Sequence, residues 1–406
     1  MGIKKISIVS GLFLFLLIQG CEWLELLPPD GLVVDEYWQT KEDVEAVLMG
    51  AYSTFAQMDE NLFFYGELRG DMLKPAIYAN QDQIAIMNSN IYSTNDMCDW
   101  SAFYVIINYC NNVIELAPGV LDVDNTFTEF QMKNYQAEAV FLRSLAYFYL
   151  VRIFGDVPYV DKPTTSDNVD FYLPKSSGDS ILIQVQQDLN TFEATITTDY
   201  PDIFEDRGRA TKGAVNALLA DIALWRFEYE DVIRHVEKIE SLNKYFLMPP
   251  SKWFEMYIPG NSLEGIFEFQ FDGVGQDNTM YDICRTWELY TASEQAVEIL
   301  DPESELSGGE RVRGEGSISI ESQNYRIFKY IGGASDRKSY RSGSEARACN
   351  FMIYRFADVL LMKAEALSQL DRFNEAENIL NDVRTRALVE SLSLPGSRIA
   401  FEDAIL

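Results

Sequence analysis

The chain has 406 residues, 47% of them hydrophobic, which is enough for a substantial core and excludes a disordered segment. Thirty-three basic against 63 acidic residues leave a formal charge of −30, a field that repels phosphate backbones and anionic headgroups and makes nucleic acid an excluded partner. Neutral ligands and basic protein surfaces stay compatible, and the 22 Tyr, 25 Phe and 6 Trp leave aromatic rings over for a binding surface.

Lys4 and Lys5 precede an apolar run from Ile6 to Ile18. The run is shorter than the roughly 20 residues that span a bilayer, so residues 1–20 read as a signal peptide. Gln19-Gly20-Cys21 follows at once and is similar to a relaxed bacterial lipobox, which makes Cys21 the acylated N-terminus of the mature chain. Several acyl chains on one residue anchor stably. Residues 21–31 form a tether, because Pro28 and Pro29 cannot continue a helix. Residues 32–406 are expected to fold as one domain.

Thr40 before Lys41-Glu42-Asp43 is an N-cap with an acidic first turn, and Val44, Val47, Leu48, Ala51 and Tyr52 recur at helical spacing. A second helix runs from about Trp100 to Leu116 and stops at Pro118-Gly119. The third, about Tyr135 to Phe154, is apolar nearly all round and so buried on most faces. Two helix hairpins, 210–239 and 354–386, superpose at an offset of 144 residues, with Ala220 matching Ala364 and Tyr229 matching Phe373. A small residue, a tight turn and an aromatic at these offsets resemble tetratricopeptide-type repeats. Between the hairpins, Gly265 to Phe271 alternates as a strand, and about 273–350 is a loop-rich insertion with turns at Gly308-Gly309 and Gly332-Gly333. The expected fold class is mainly α: tetratricopeptide-like helix pairs with long loop-rich insertions and a few short strands.

No catalytic template fits. The 63 carboxylates contain no singled-out pair, the glycines make no phosphate loop, and no serine elbow is present. The five cysteines lack metal-ligand spacing, and His235 sits in a charged helical stretch that reads as a surface position. Neither a cofactor nor a metal is implied.

Four stretches resemble the SusD/RagB-like family, in that family's order. They are the Leu-Pro-Pro-Asp tether with Tyr37 to Asp43, the run Ala137 to Arg143 continuing to Phe154 to Pro158, then Arg209 to Ala214, and Tyr354 to Ala366. The resemblance implies a helical, non-catalytic lipoprotein on the outer face of an outer membrane. Such a protein binds oligosaccharide, or in some relatives peptide, as partner of a SusC-like TonB-dependent transporter. It also implies that Glu138, Arg143, Arg355, Asp358 and Glu365 are structural, that Trp253 and Phe254 lie in the core, and that the helix begun at Phe401 continues into a further C-terminal segment.

Sugar recognition needs aromatic faces flanked by amides and carboxylates. Two regions supply them: Tyr78, Asn80, Gln81, Asp82, Tyr92 and Asn95, and then Asn278, Tyr281, Trp287 and Tyr290. Of these, Tyr78, Asn80, Asp82, Tyr92, Tyr281, Trp287 and Tyr290 are the expected ligand contacts, while Trp100 reads as packing. The alternatives are a tetratricopeptide-type scaffold for a peptide or protein, and a surface glycoside hydrolase.

Overall fold

A computed structural model describes residues 37–164, 172–300, 316–321, 324–332 and 339–405. The signal segment, Cys21, the tether and the Gly308-Gly309 turn lie outside these residues.

Helix α1 (Lys41–Ala56) opens on the expected cap. Thr40 Oγ1 accepts from the Asp43 N–H at 3.2 Å, and Asp43 Oδ2 accepts from the Thr40 N–H at 2.8 Å, so two donors left over at the helix start are satisfied reciprocally. Helix α2 (Asp59–Glu67), strand β1 (Leu73–Pro75) and α3 (Gln81–Met87) lead to α4 (Ser101–Val120). This helix runs through Pro118 rather than stopping before it. Proline cannot donate to the Ile114 carbonyl, and Gln136 Nε2 from the neighbouring helix donates there at 2.7 Å, which satisfies that acceptor. Helix α5 (Glu129–Phe154) starts six residues before its apolar pattern, because Thr128 and Gln131 form a second capping box ahead of a polar first turn. It is packed between α4 and α6 (Gly178–Phe192), with the short strands β2 (Val157–Pro158) and β3 (Lys175–Ser176) between.

After α7 (Ile203–Gly208) comes the first hairpin, α8 (Lys212–Trp225) and α9 (Tyr229–Ser241). Strand β4 (Gly265–Phe269) leads into the insertion, which carries β5 (Tyr290–Ala292), α10 (Glu294–Leu300), β6 (Ile318–Glu321) and β7 (Asn324–Ile327). The chain returns on β8 (Phe351–Arg355) to the second hairpin, α11 (Phe356–Gln369) and α12 (Phe373–Arg386), and then α13 (Arg398–Ile405).

The two hairpins share a turn as well as a pattern. Phe227 and Asp371 both adopt left-handed backbone, with φ of 60° and 59°. The next N–H closes the same bond in each, Glu228 to the Ala223 carbonyl at 2.8 Å and Arg372 to Leu367 at 2.9 Å. Ala220 and Ala364 are fully buried, as close helix pairing requires. Far apart in sequence, the hairpins are neighbours in space: α11 packs on α8 and α9, Tyr354 donates to Asp221 at 2.9 Å, and Lys363 meets Glu240 at 2.6 Å.

Strands β4 and β8 pair antiparallel, Gly265 opposite Arg355 and Phe269 opposite Phe351, so the insertion leaves and rejoins the helical body through one two-stranded neck. All five β4 residues are buried, Glu268 included, so the strand is covered on both faces where alternation had suggested one. The insertion is more than loops. Three of its strands join β1 in a four-stranded sheet in the order β1-β5-β7-β6, over a small core that Ile283 and Tyr290 share with Phe64.

Four of the five motif residues, Glu138, Arg143, Arg355 and Asp358, are paired within the protein. Glu138 has no exposed surface and receives Arg209 Nη2 at 2.8 Å, Arg209 Nε at 3.0 Å, the Tyr52 hydroxyl at 2.8 Å and the Tyr200 hydroxyl at 2.9 Å. A buried pair this fully hydrogen-bonded holds only as a set, since removing one partner strands the other charge. Arg143 pairs with Asp188 at 2.8 Å, and Arg355 with Asp358 at 3.2 Å. Trp253 is buried as expected, whereas Phe254 is half-buried.

His235 is a correction. It is 2% exposed, because it falls at helical spacing with Val232, Val236 and Ile239 on the face of α9 that meets α8. Asn216 donates from Nδ2 to Glu193 and to the Lys212 carbonyl, so its Oδ1 faces His235 Nδ1 at 2.8 Å and assigns the ring proton there. Burial, with Arg234 and Lys238 nearby, pushes the imidazole down to about 4.

Candidate functional site

The pairing of β1 with β5 sets Pro75 opposite Tyr290 and continues one residue further, where the Ala76 N–H donates to the Leu289 carbonyl at 2.9 Å. The loop 76–80 thus lies beside residues 287–289. Each segment presents a predicted ring to solvent, Tyr78 at 73% and Trp287 at 46% exposure. Tyr92, 52% exposed, is carried by the segment after α3. That segment is tied back to the helix by Asn95 Nδ2 on the Asp82 carbonyl at 2.8 Å and by the Asp96 N–H on Asp82 Oδ2 at 3.0 Å. Two sequence regions from opposite halves of the chain are therefore brought side by side, each carrying an exposed ring.

The expected polar partners are partly committed to this frame. Asn80 caps α3, its Oδ1 accepting from the Asp82 N–H at 2.8 Å, which fixes the amide and directs Nδ2 away from the helix end. Asp82 spends Oδ2 on Asp96. Asn95 and Asn278 are buried caps, accepting from the N–H groups of Met97 at 2.9 Å and Met280 at 2.6 Å.

Trp287 closes a π-helical turn, Asp282–Thr286, its N–H donating to the Asp282 carbonyl at 2.8 Å. Arg347 clamps Asp282 at 2.6 and 3.0 Å and lies over the half-buried Tyr281 ring at 5.8 Å. Arg326 grips Glu288 through two 2.9 Å bonds and holds that carboxyl below the usual range. Glu288 itself has φ of 46°, so the chain turns sharply between Trp287 and β5. These clamps limit the ordering cost that a ligand would otherwise meet on binding.

Tyr290 is the second correction. It is 0% exposed; its hydroxyl donates to Gln83 Oε1 at 2.5 Å and its ring meets Phe64 edge-on at 5.8 Å. It supports the surface from beneath and has no face for a ligand. Conversely, Ile77 and Ile91 are 88% and 50% exposed next to Tyr78 and Tyr92, an apolar extension that sequence reasoning missed. The available signal was two isoleucines outside any helical or strand periodicity.

Such a surface can stack on apolar faces and donate or accept hydrogen bonds around them. Among the described residues no group of three or more His, Cys, Asp or Glu gathers as a metal site, and Cys98, Cys110, Cys284 and Cys349 are free. Burial pushes the Cys110 and Cys349 thiols up to about 12.

Helix hairpins that carry an inserted sheet with an exposed aromatic face define a binding protein on a repeat-type scaffold. Residues 22–224 match the family described as starch-binding and associating with outer membrane, residues 312–405 match the SusD family, and the chain belongs to that family. Among its relatives, SusD-like protein P38 of Formosa agariphila is 24% identical over 97% of this chain and 85% of its own. A SusD superfamily protein of Bacteroides vulgatus superposes with a TM-score of 0.75 at 19% identity, over 91% of this chain and 84% of that one. Surface glycan-binding protein A of Bacteroides thetaiotaomicron, in complex with laminarihexaose, gives a TM-score of 0.69 at 20% identity, over 90% of this chain and 86% of that one.

Proposed function

We propose that this protein binds oligosaccharides without turning them over, at the outer face of an outer membrane, and passes them to a SusC-like TonB-dependent transporter. In this reading residues 32–406 form one binding domain, held to the membrane by residues 21–31 and acyl chains on Cys21. The observation that supports it is the exposure of Tyr78 and Trp287 on two segments that β1–β5 pairing brings side by side, with Tyr92 exposed on the segment after α3, within a SusD-family fold. Exposed rings are costly to leave in water, and pyranose faces are among the few neutral partners that cover them while needing amides at the edge. The laminarihexaose held by the surface glycan-binding neighbour supports the ligand class. Affinity is expected at about micromolar or weaker, since several polar groups must be desolvated, and a weakly held cargo is easily handed on.

Isothermal titration of the mature chain against malto- and laminari-oligosaccharides and a set of peptides tests the reading. Heat with a glycan and no release of reducing sugar is the expected outcome. Binding of peptides alone would favour the scaffold alternative, and release of reducing sugar would make the protein a hydrolase.

A further inference from the structure

A second concave feature lies beyond the Tyr78–Trp287 surface. Between the exposed side of α4 and residues 158–164 runs a cleft of about 970 Å³, at the upper end of the size range of small-molecule sites. Its walls are tied together: the Tyr104 hydroxyl donates to the Pro158 carbonyl at 2.7 Å, the Thr164 N–H to Asn108 Oδ1 at 2.8 Å, and Asn111 Nδ2 to the Val160 carbonyl at 3.0 Å. Two walls hydrogen-bonded to each other keep their spacing without a ligand.

Four rings line it, Trp100, Tyr104, Tyr109 and Tyr159. The hydroxyls of Tyr104 and Tyr159 are engaged, with the Pro158 carbonyl and with Asp188 at 3.5 Å. The Trp100 indole N–H and the Tyr109 hydroxyl have no partner among the described residues. Trp100 packs its edge against Tyr104 and Phe154 at 6.0 and 5.5 Å, so it is held in place while it lines the cleft. Charge selects the occupant. Asp99 and Asp161 stand on the rim, and Lys162 is already paired with Glu115 at 2.9 Å, which disfavours an anion. Rings whose donors have no partner among the described residues, with an acidic rim, suit a neutral polyhydroxylated chain.

The cleft is also continuous in sequence with the first surface. From Tyr92 the chain reaches Trp100 through two tight turns, closed by the Asn95 N–H on the Tyr92 carbonyl at 3.0 Å and the Cys98 N–H on the Asn95 carbonyl at 2.8 Å. Eight extended residues span at most about 28 Å, and two turns shorten that. We propose that this cleft is a second glycan subsite, into which a long oligosaccharide continues from the Tyr78–Trp287 surface across residues 92–100. The proposal rests on the glycan-binding reading and adds a dependence on chain length.

The test is calorimetric titration of the mature chain and its Tyr109→Ala and Val105→Trp variants with di- and hexasaccharides of the laminari and malto series. Val105 is 45% exposed in the cleft, so the indole fills space there without entering the core. Both variants should melt with the parent protein, bind the disaccharide as the parent does, and bind the hexasaccharide about tenfold more weakly, the loss of roughly one ring contact. If the parent binds a hexasaccharide and both variants bind it equally well, the subsite is overturned while the glycan-binding reading stands. If the parent binds no sugar of either series, both fall.

Discussion

Glu268 sits on β4 with no exposed surface, its Oε1 accepting from the Asn261 N–H. Burial pushes its carboxyl up to about 7 from an ordinary 4.5. Between those values the folded chain holds a proton that the unfolded chain has released, so the stability it contributes is present below about 4.5 and is lost as pH rises through about 7. Glu268→Gln mimics the protonated acid at every pH. Urea melts of variant and parent should therefore diverge between pH 5 and pH 8, the variant gaining about 2 kcal/mol relative to the parent. A difference that stays flat across that range would show that the carboxyl is not held neutral. His235 works with the opposite sign, its folded value of about 4 costing stability as pH falls from its ordinary 6.5. At this scale the sequence was legible where a residue's surroundings are local. Tyr78, Tyr92 and Trp287 stand in stretches without periodicity and are exposed. Tyr290 and His235 were misjudged because strand parity and helix face depend on β1 and α8, partners distant in sequence or on the other arm of a hairpin.

The elements were largely readable because their signals are chemical. The Thr40 cap and the hairpin offset follow from residue types at fixed spacing, and the matching left-handed turns at Phe227 and Asp371 show that the resemblance extends to the backbone. The end of α4 was misread at Pro118, where the rescue comes from Gln136 on another helix, a tertiary contact that no local pattern announces. The repeat geometry makes a direct prediction. Ala220 and Ala364 fill the helix contacts completely, so Ala220→Leu or Ala364→Leu should each cost about 1–3 kcal/mol through overpacking. Chemical denaturation measures it, and a neutral result at both sites would mean that small side chains are not what lets these helices approach.

For the molecule as a whole, the β4–β8 neck divides the labour: helix hairpins supply the body, and the insertion supplies three of the four strands of the sheet beside which Tyr78 and Trp287 are exposed. The insertion was foreseen as loops, since its strands are short and pair across long separations, β1 with β5 above all. The membrane anchor proposed at Cys21 is tested on the whole chain too. Labelled fatty acid should enter the parent protein in its host and not Cys21→Ala, and equal labelling of the two would refute the anchor. The most direct measurement is the affinity of Tyr78→Ala and Trp287→Ala, singly and together, for the glycan that the parent binds, with thermal melts alongside. Both rings are exposed, so each single change should weaken binding about tenfold while melting stays within about 0.5 kcal/mol of the parent, and the pair should abolish detectable heat. Undiminished binding by the double variant would contradict the assignment of this surface as the glycan site.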